Sequence, residues 1–112
     1  MKKILIVIAD YYEDISSLLL KSAKNNLNNF SLKVIRVPGV FEIPITISKN
    51  IKKYDAFVAL GCVIKGETPH FEFISSASTQ AIMKLSVDNK KPIGNGILTS
   101  VSYTHLTLPT KA

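Results

Sequence analysis

The 112-residue chain has a single cysteine, Cys62, and therefore no internal disulfide framework. A reducing cytoplasm is the compartment such cysteine usage suggests. It has no apolar run longer than residues 4–9, far short of a bilayer span. Lys2 and Lys3 precede that run as they would in a signal peptide, but Asp10 ends it early and no small-residue cleavage site follows. There is one arginine, Arg36; the other thirteen of the fourteen basic residues are lysines scattered along the chain. No basic run interleaves with aromatics, so nucleic acid is not an expected partner, and neither is a membrane. Two histidines, His70 and His105, beside one cysteine are too few for a zinc set. Neither GxGxxG nor GxxxxGK(S/T) occurs, which leaves dinucleotide and Walker-type nucleotide binding without a motif.

What is present is one globular domain's worth of chain, 46% hydrophobic and 20% charged, a balance that excludes wholesale disorder. The net charge of +6 is that of a solvated basic surface and is compatible with a small anionic substrate. Residues 4–9 form a run without alternation, as a strand covered on both faces does. Ile15, Leu18, Leu19, Ala23 and Leu27 recur at helical spacing, with Glu13 and Asp14 near the positive end of the dipole. Residues 32–37 read as a second strand, stopped by Pro38-Gly39. Phe41, Ile43, Ile45 and Ile47 alternate like a strand, yet Pro44 suits the first turn of a helix. Residues 55–64 form another buried strand, and parallel neighbours need a crossover, so a helix is expected from about 44 to 53. Residues 61–69 read as a loop with two glycines, Thr68-Pro69 as a cap and first helical position, and Phe71, Ile74, Ala81, Ile82 and Leu85 as one apolar helix face. Residues 92–98 supply a fourth strand. The order βαβαβαβ predicts a parallel sheet with helices on both faces and ligands beyond the carboxyl ends of the strands.

Those ends carry the residues with chemistry. In Gly66-Glu-Thr-Pro-His70 a strand feeds a glycine loop that turns into a helix, whose free N–H groups suit an anion such as phosphate. His70, read as lying in the first turn, places a proton shuttle beside that anion. On the residues alone, His70 is equally a surface helix residue and the glycines simply turn the chain. Pro38-Gly-Val-Phe-Glu-Ile-Pro44 presents Phe41 and Glu42 near a helix start, either to a heterocycle and its hydroxyls or as a core aromatic and a first-turn charge. Tyr11-Tyr12 offers a ring for stacking or merely packs on the domain. Cys62 reads as a small buried hydrophobe.

Three stretches then resemble a known family. Val37-Pro-Gly-Val-Phe-Glu-Ile-Pro44, Gly61-Cys-Val-Ile-Lys-Gly-Glu-Thr-Pro-His-Phe-Glu72 and Pro92-Ile-Gly-Asn-Gly-Ile-Leu-Thr99 are similar, in order and spacing, to the signatures of the 6,7-dimethyl-8-ribityllumazine synthases. The opening strand and the Tyr11-Tyr12 corner resemble them too, so the likeness covers residues 1–99. It implies a three-layer α/β/α sandwich on a four-stranded parallel sheet, flavodoxin-like, and a cytoplasmic, cofactor-free transferase of riboflavin biosynthesis. Such enzymes condense 5-amino-6-(D-ribitylamino)uracil with 3,4-dihydroxy-2-butanone 4-phosphate. By motif, the resemblance puts Tyr11, Val40, Phe41, Glu42, Cys62, Val63 and Ile64 around the pyrimidine and ribityl chain. It puts Glu67 and Thr68 on the butanone phosphate, and His70 on proton transfer. It also implies homo-oligomers, pentamers or multiples of them, with sites between subunits.

Two departures accompany it. Asn95 stands where the family often has an aromatic that a neighbouring subunit lends to the pocket; an amide hydrogen-bonds a pyrimidine but does not stack. Residues 100–112 lack helical periodicity and the family's phosphate-binding arginine, so they are expected to be a non-native or unstructured tail on a domain missing its last helices. The expectations that compete with catalysis are a non-catalytic flavin or lumazine binder on the same fold, and an inactive fragment.

Overall fold

The computed structural model describes residues 2–65 and 70–100. Strand β1 (Lys3–Ala9) leads to helix α1 (Glu13–Asn26) and strand β2 (Ser31–Val37). A single 3₁₀ turn (Val40–Glu42) runs into helix α2 (Ile43–Lys49), followed by β3 (Ala56–Ile64), α3 (Phe71–Asn89) and β4 (Ile93–Ser100). The four strands form one sheet of order β2-β1-β3-β4, and every pair is parallel. That is the three-layer α/β/α arrangement of a flavodoxin-like fold. No helix among the described residues is long and apolar enough to cross a membrane.

The apolar run of β1 explains its central place. Residues 4–9 are all buried, with Leu5, Val7 and Ala9 facing one layer and Ile6 and Ile8 the other. The first layer joins Val37, Val40, Ile43, Ile47, Phe57, Ala59, Val63 and Ile82 beneath α2 and α3. The second joins Ile15, Leu19, Leu20, Ala23, Leu60, Cys62 and Ile64 beneath α1. The buried Ser16 hydroxyl donates to the Ala9 carbonyl at 2.8 Å, pinning α1 to the carboxyl end of β1. Two helices back the first layer and one the second. As a result, among the described residues, an open apolar groove of about 460 Å³ runs between α1 and the β3–β4 half of the sheet, lined by Leu19, Ala23, Leu27, Val58, Leu60 and Leu98 among others.

Several boundaries differ from expectation. Leu18 is exposed, because at 100° per residue it lies well round from the Ile15–Leu19–Ala23 stripe; Ser16 and Leu20 fill the buried face instead. Helix α2 stops at Lys49 rather than near residue 53. Ile51 and Lys53 make i→i−3 bonds to Ser48 and Asn50, the Asn50 amide donates to the Thr46 carbonyl, and Lys91 Nζ takes the Ile51 and Tyr54 carbonyls at 2.6 and 2.8 Å. The last-turn carbonyls of Thr46, Ile47 and Ser48 are thus taken by Asn50 and Ile51, which ends the helix without another turn. Gly61, where the expected strand 55–64 and the expected loop 61–69 overlap, is buried within β3, as the strand reading has it. Helix α3 begins at Phe71 with His70 at its cap, so His70 precedes the first turn rather than lying in it; Thr68 and Pro69, the expected cap and first helical position, lie outside the described residues. Strand β4 continues through Ser100, paired with Ile64, one residue into the segment expected to be a tail; residues 101–112 lie outside the described part.

Candidate functional site

In this sheet the strand order reverses between β1 and β3: β2 lies on one side of β1 and β3 on the other. The connections from β1 and β3 leave on opposite faces, opening a crevice at their carboxyl ends, the usual ligand position in such sheets. Residues 10–12, 38–42, 62–65 and 70 rim it.

The 3₁₀ turn after β2 is held from below. Val40 is buried in the core, and a Cβ on Gly61 would lie 2.9 Å from Val40 Cγ2 and 3.2 Å from Ala9 Cβ. Only a residue without a side chain lets β3 approach this closely, so Gly61 seats the turn against the sheet. With Val40 pointing inward, Phe41 is directed outward and is 54% exposed. Glu42 is half-buried, its carboxylate folded toward Gly39 and its carbonyl accepting from Thr46 Oγ1 at 2.9 Å.

Across the crevice, Tyr11 is 71% exposed and meets the half-buried Tyr12 edge-to-face at 4.9 Å, so Tyr11 is the ring of that pair free to take a ligand. Asp10 continues the β1–β2 pairing through its N–H to the Val37 carbonyl, and its carboxylate lies 3.9 Å from Arg36, an exposed pair of small energetic weight. At the end of β3 the side chains of Cys62 and Ile64 are buried toward α1 and that of Val63 toward α2 and α3. What these three offer to a ligand is main chain, not side chain. His70 is exposed, and its carbonyl accepts from Ile74 N–H at 2.9 Å. Glu67 and Thr68, the expected phosphate contacts, lie outside the described residues. On either side of that segment, Lys65 and Glu72 approach to 3.9 Å.

Asn95 is not brought to this rim within the chain. It pairs with Ala59 in mid-strand, its Oδ1 accepts from Ile97 N–H at 3.0 Å, and it borders the groove beside α1. Two residues that the sequence reading does not single out do belong to the rim's architecture, Gly61 and Phe73. The Phe73 ring is 65% exposed and sits 6.1 Å from that of Phe41. The available signal is that Phe73 falls off the Phe71–Ile74–Ser78–Ile82 stripe and therefore cannot be a core aromatic. Among the described residues no group of three or more His, Cys, Asp or Glu is placed to hold a metal ion.

Fold and rim together define a flavodoxin-like α/β protein whose motif residues border the switch point of its sheet. Residues 1–105 match the sequence model of the family described as 6,7-dimethyl-8-ribityllumazine synthase, and the chain belongs to that family. It is similar to the 6,7-dimethyl-8-ribityllumazine synthase of Nitrobacter hamburgensis, 46% identical over 104 residues that cover 85% of this chain and 64% of that protein. The protein of the same name from Bartonella tribocorum is 50% identical over 101 residues, 86% of this chain and 67% of its own length. That of Agrobacterium fabrum is 46% identical over 105 residues, covering 86% and 71%. The chain thus spans about 59 to 67% of the length of the first few relatives it matches.

Proposed function

We propose that this chain carries the active-site half of an enzyme that condenses 5-amino-6-(D-ribitylamino)uracil with 3,4-dihydroxy-2-butanone 4-phosphate to give 6,7-dimethyl-8-ribityllumazine. The observation that carries the reading is the match over residues 1–105 to a family of that name, with the first motif and the described start of the second at the carboxyl ends of β2 and β3. The primary amine of the pyrimidine attacks the ketone and water leaves as the imine forms. Phosphate is then eliminated, and the ribitylamino nitrogen closes the second ring with loss of another water. Every step is an addition of nitrogen to a carbonyl, an elimination or a proton transfer, so the residues needed are those that hold two substrates together and move protons. Tyr11 and Phe41 stack on the pyrimidine, main-chain groups of Val40 and residues 62–64 meet its edge, and Glu42 takes ribityl hydroxyls. Glu67 and Thr68 hold the phosphate and His70 shuttles the proton. The working assembly is a homo-oligomer, a pentamer or a multiple of one, in which Asn95 reaches a neighbour's pocket.

Mixing the two substrates with the protein and following the lumazine chromophore tests this reading. His70→Ala is expected to lower turnover by roughly 10²–10⁴-fold, the usual worth of a positioned acid–base group, while pyrimidine binding changes much less. Unchanged turnover removes His70 from the mechanism. Pyrimidine binding without any lumazine formation, under conditions where a relative turns over, supports a non-catalytic binder instead.

A further inference from the structure

We propose that Phe73 is a positioning residue for the pyrimidine end of the site, acting through the ring of Phe41; the inference rests on the function proposed above. The apolar stripe of α3 is Phe71, Ile74, Ser78, Ile82 and Leu85, all buried or partly so, and it accounts for the packing of that helix on the sheet. Phe73 has no place in that packing. It stands on the outer side of the first turn, 65% exposed, beside a second large aromatic that is 54% exposed. The two come from different connections, Phe41 from the turn after β2 and Phe73 from the helix after β3, and the contact closes the rim on that side. Their centroids are 6.1 Å apart and their planes 37° apart, within the range of an attractive aromatic pair.

A stacking ring is useful only when its rotamer is fixed before the ligand arrives, since an exposed phenylalanine otherwise loses rotamer freedom on binding. The backbone under Phe41 is fixed, because Val40 is locked against Gly61 and Ala9. The Phe41 ring, half exposed, has the tilted Phe73 ring as its aromatic neighbour, and the pair together remains open to solvent. Phe73 lies three residues after His70, so the first turn of the helix that His70 caps also braces the proposed stacking ring. Registration between pyrimidine and imidazole then follows from one rigid element rather than from two independent loops.

The test uses the full 112-residue chain and 5-amino-6-(D-ribitylamino)uracil as the probe, with inorganic phosphate as the probe of the other half of the site. Phe73→Ala is expected to weaken pyrimidine binding about 3–10-fold, the worth of one aromatic pair. Phosphate binding and the thermal midpoint should stay unchanged, and Phe73→Tyr, which keeps the ring, should restore affinity. Where turnover is measurable, the loss should fall in KM for the pyrimidine and not in KM for the butanone phosphate. Equal affinity in Phe73→Ala and the parent overturns the inference while leaving the function intact. Parallel loss of both probes with a lower midpoint overturns it in favour of a structural role. A change in sedimentation with affinity unaltered overturns it in favour of a contact between copies. A parent chain that binds no pyrimidine at all removes the functional reading on which the inference rests.

Discussion

Gly61 decides where the rim stands. It is buried in β3, opposite Ile97 of β4, with the stiff Val40 side chain on one side and the methyl of Ala9 on the other. Neither neighbour has a flexible end to move aside. Gly61→Ala should therefore cost about 1–3 kcal/mol of stability through overpacking, measured as a lower urea midpoint, and should displace the 3₁₀ turn enough to weaken pyrimidine binding. Full stability in that variant would mean that the turn yields easily and is not held by the sheet. At the opposite end of the sheet, Asp55 accepts from the Lys3 N–H at 2.8 Å. That bond lowers its carboxyl below the ordinary 3.8, against the opposing effect of desolvation and with help from Lys2, Lys91 and Lys3 nearby. A carboxyl lowered by folding stabilises above its unfolded value and loses that contribution as pH falls through its folded value. The parent should thus exceed Asp55→Asn in stability at pH 6, with the gap closing as pH drops below 3.8; a gap that widens in acid would contradict the assignment.

At the scale of elements, the strands were legible because their chemistry is simple. Residues 4–9 are apolar without alternation, and only a strand covered on both faces accommodates that. Helix α2 was legible only through context: its own residues alternate, and the need for a crossover between parallel β2 and β3 outweighed the local pattern. Its end at Lys49 is set by Asn50, whose N–H and side-chain amide take the Ile47 and Thr46 carbonyls, while Lys91, forty residues away, holds the Ile51 carbonyl just beyond it. The start of α3 was misleading. Thr68-Pro69 has the composition of a cap, but the helix opens at Phe71, and the residue at the cap is His70 itself. The motif residues at the rim can be named from the sequence, whereas the Phe41–Phe73 contact joins two connections far apart in sequence and leaves no local trace. The far end of α3 stores strain: Lys90 is left-handed, with φ 54° and ψ 41°, just before Lys91 and Pro92. Lys90→Gly removes the Cβ penalty at a helix end where glycine is favoured and should raise stability by about 0.5–1 kcal/mol, read as a higher thermal midpoint. No gain would mean that contacts of the Lys90 side chain offset the strain.

For the molecule as a whole, the two faces of the sheet are unequally covered. Helices α2 and α3 close one layer, whereas α1 covers only part of the other and leaves the groove over β3 and β4 open among the described residues. Among the described residues, the groove and the carboxyl edge of the sheet therefore differ in character. The groove is lined mostly by aliphatic side chains and bordered by Ser22, Asn26 and Asn95. The crevice at the switch point carries exposed aromatic rings, a histidine and the main-chain ends of three parallel strands. A planar, polar heterocycle with a hydroxylated chain suits the second and not the first, since its ring needs stacking partners and its polar edge needs donors and acceptors.

The most direct measurement of that claim is to locate the ligand. Backbone amide shifts of the isotopically labelled chain, titrated with 5-amino-6-(D-ribitylamino)uracil, should move at Tyr11, Val40, Phe41, Glu42, Val63, Ile64 and His70. Leu19, Ala23, Val58 and Leu98 in the groove should stay still. Shifts confined to the groove residues, with the rim unmoved, would contradict the placement of the site at the carboxyl edge of the sheet.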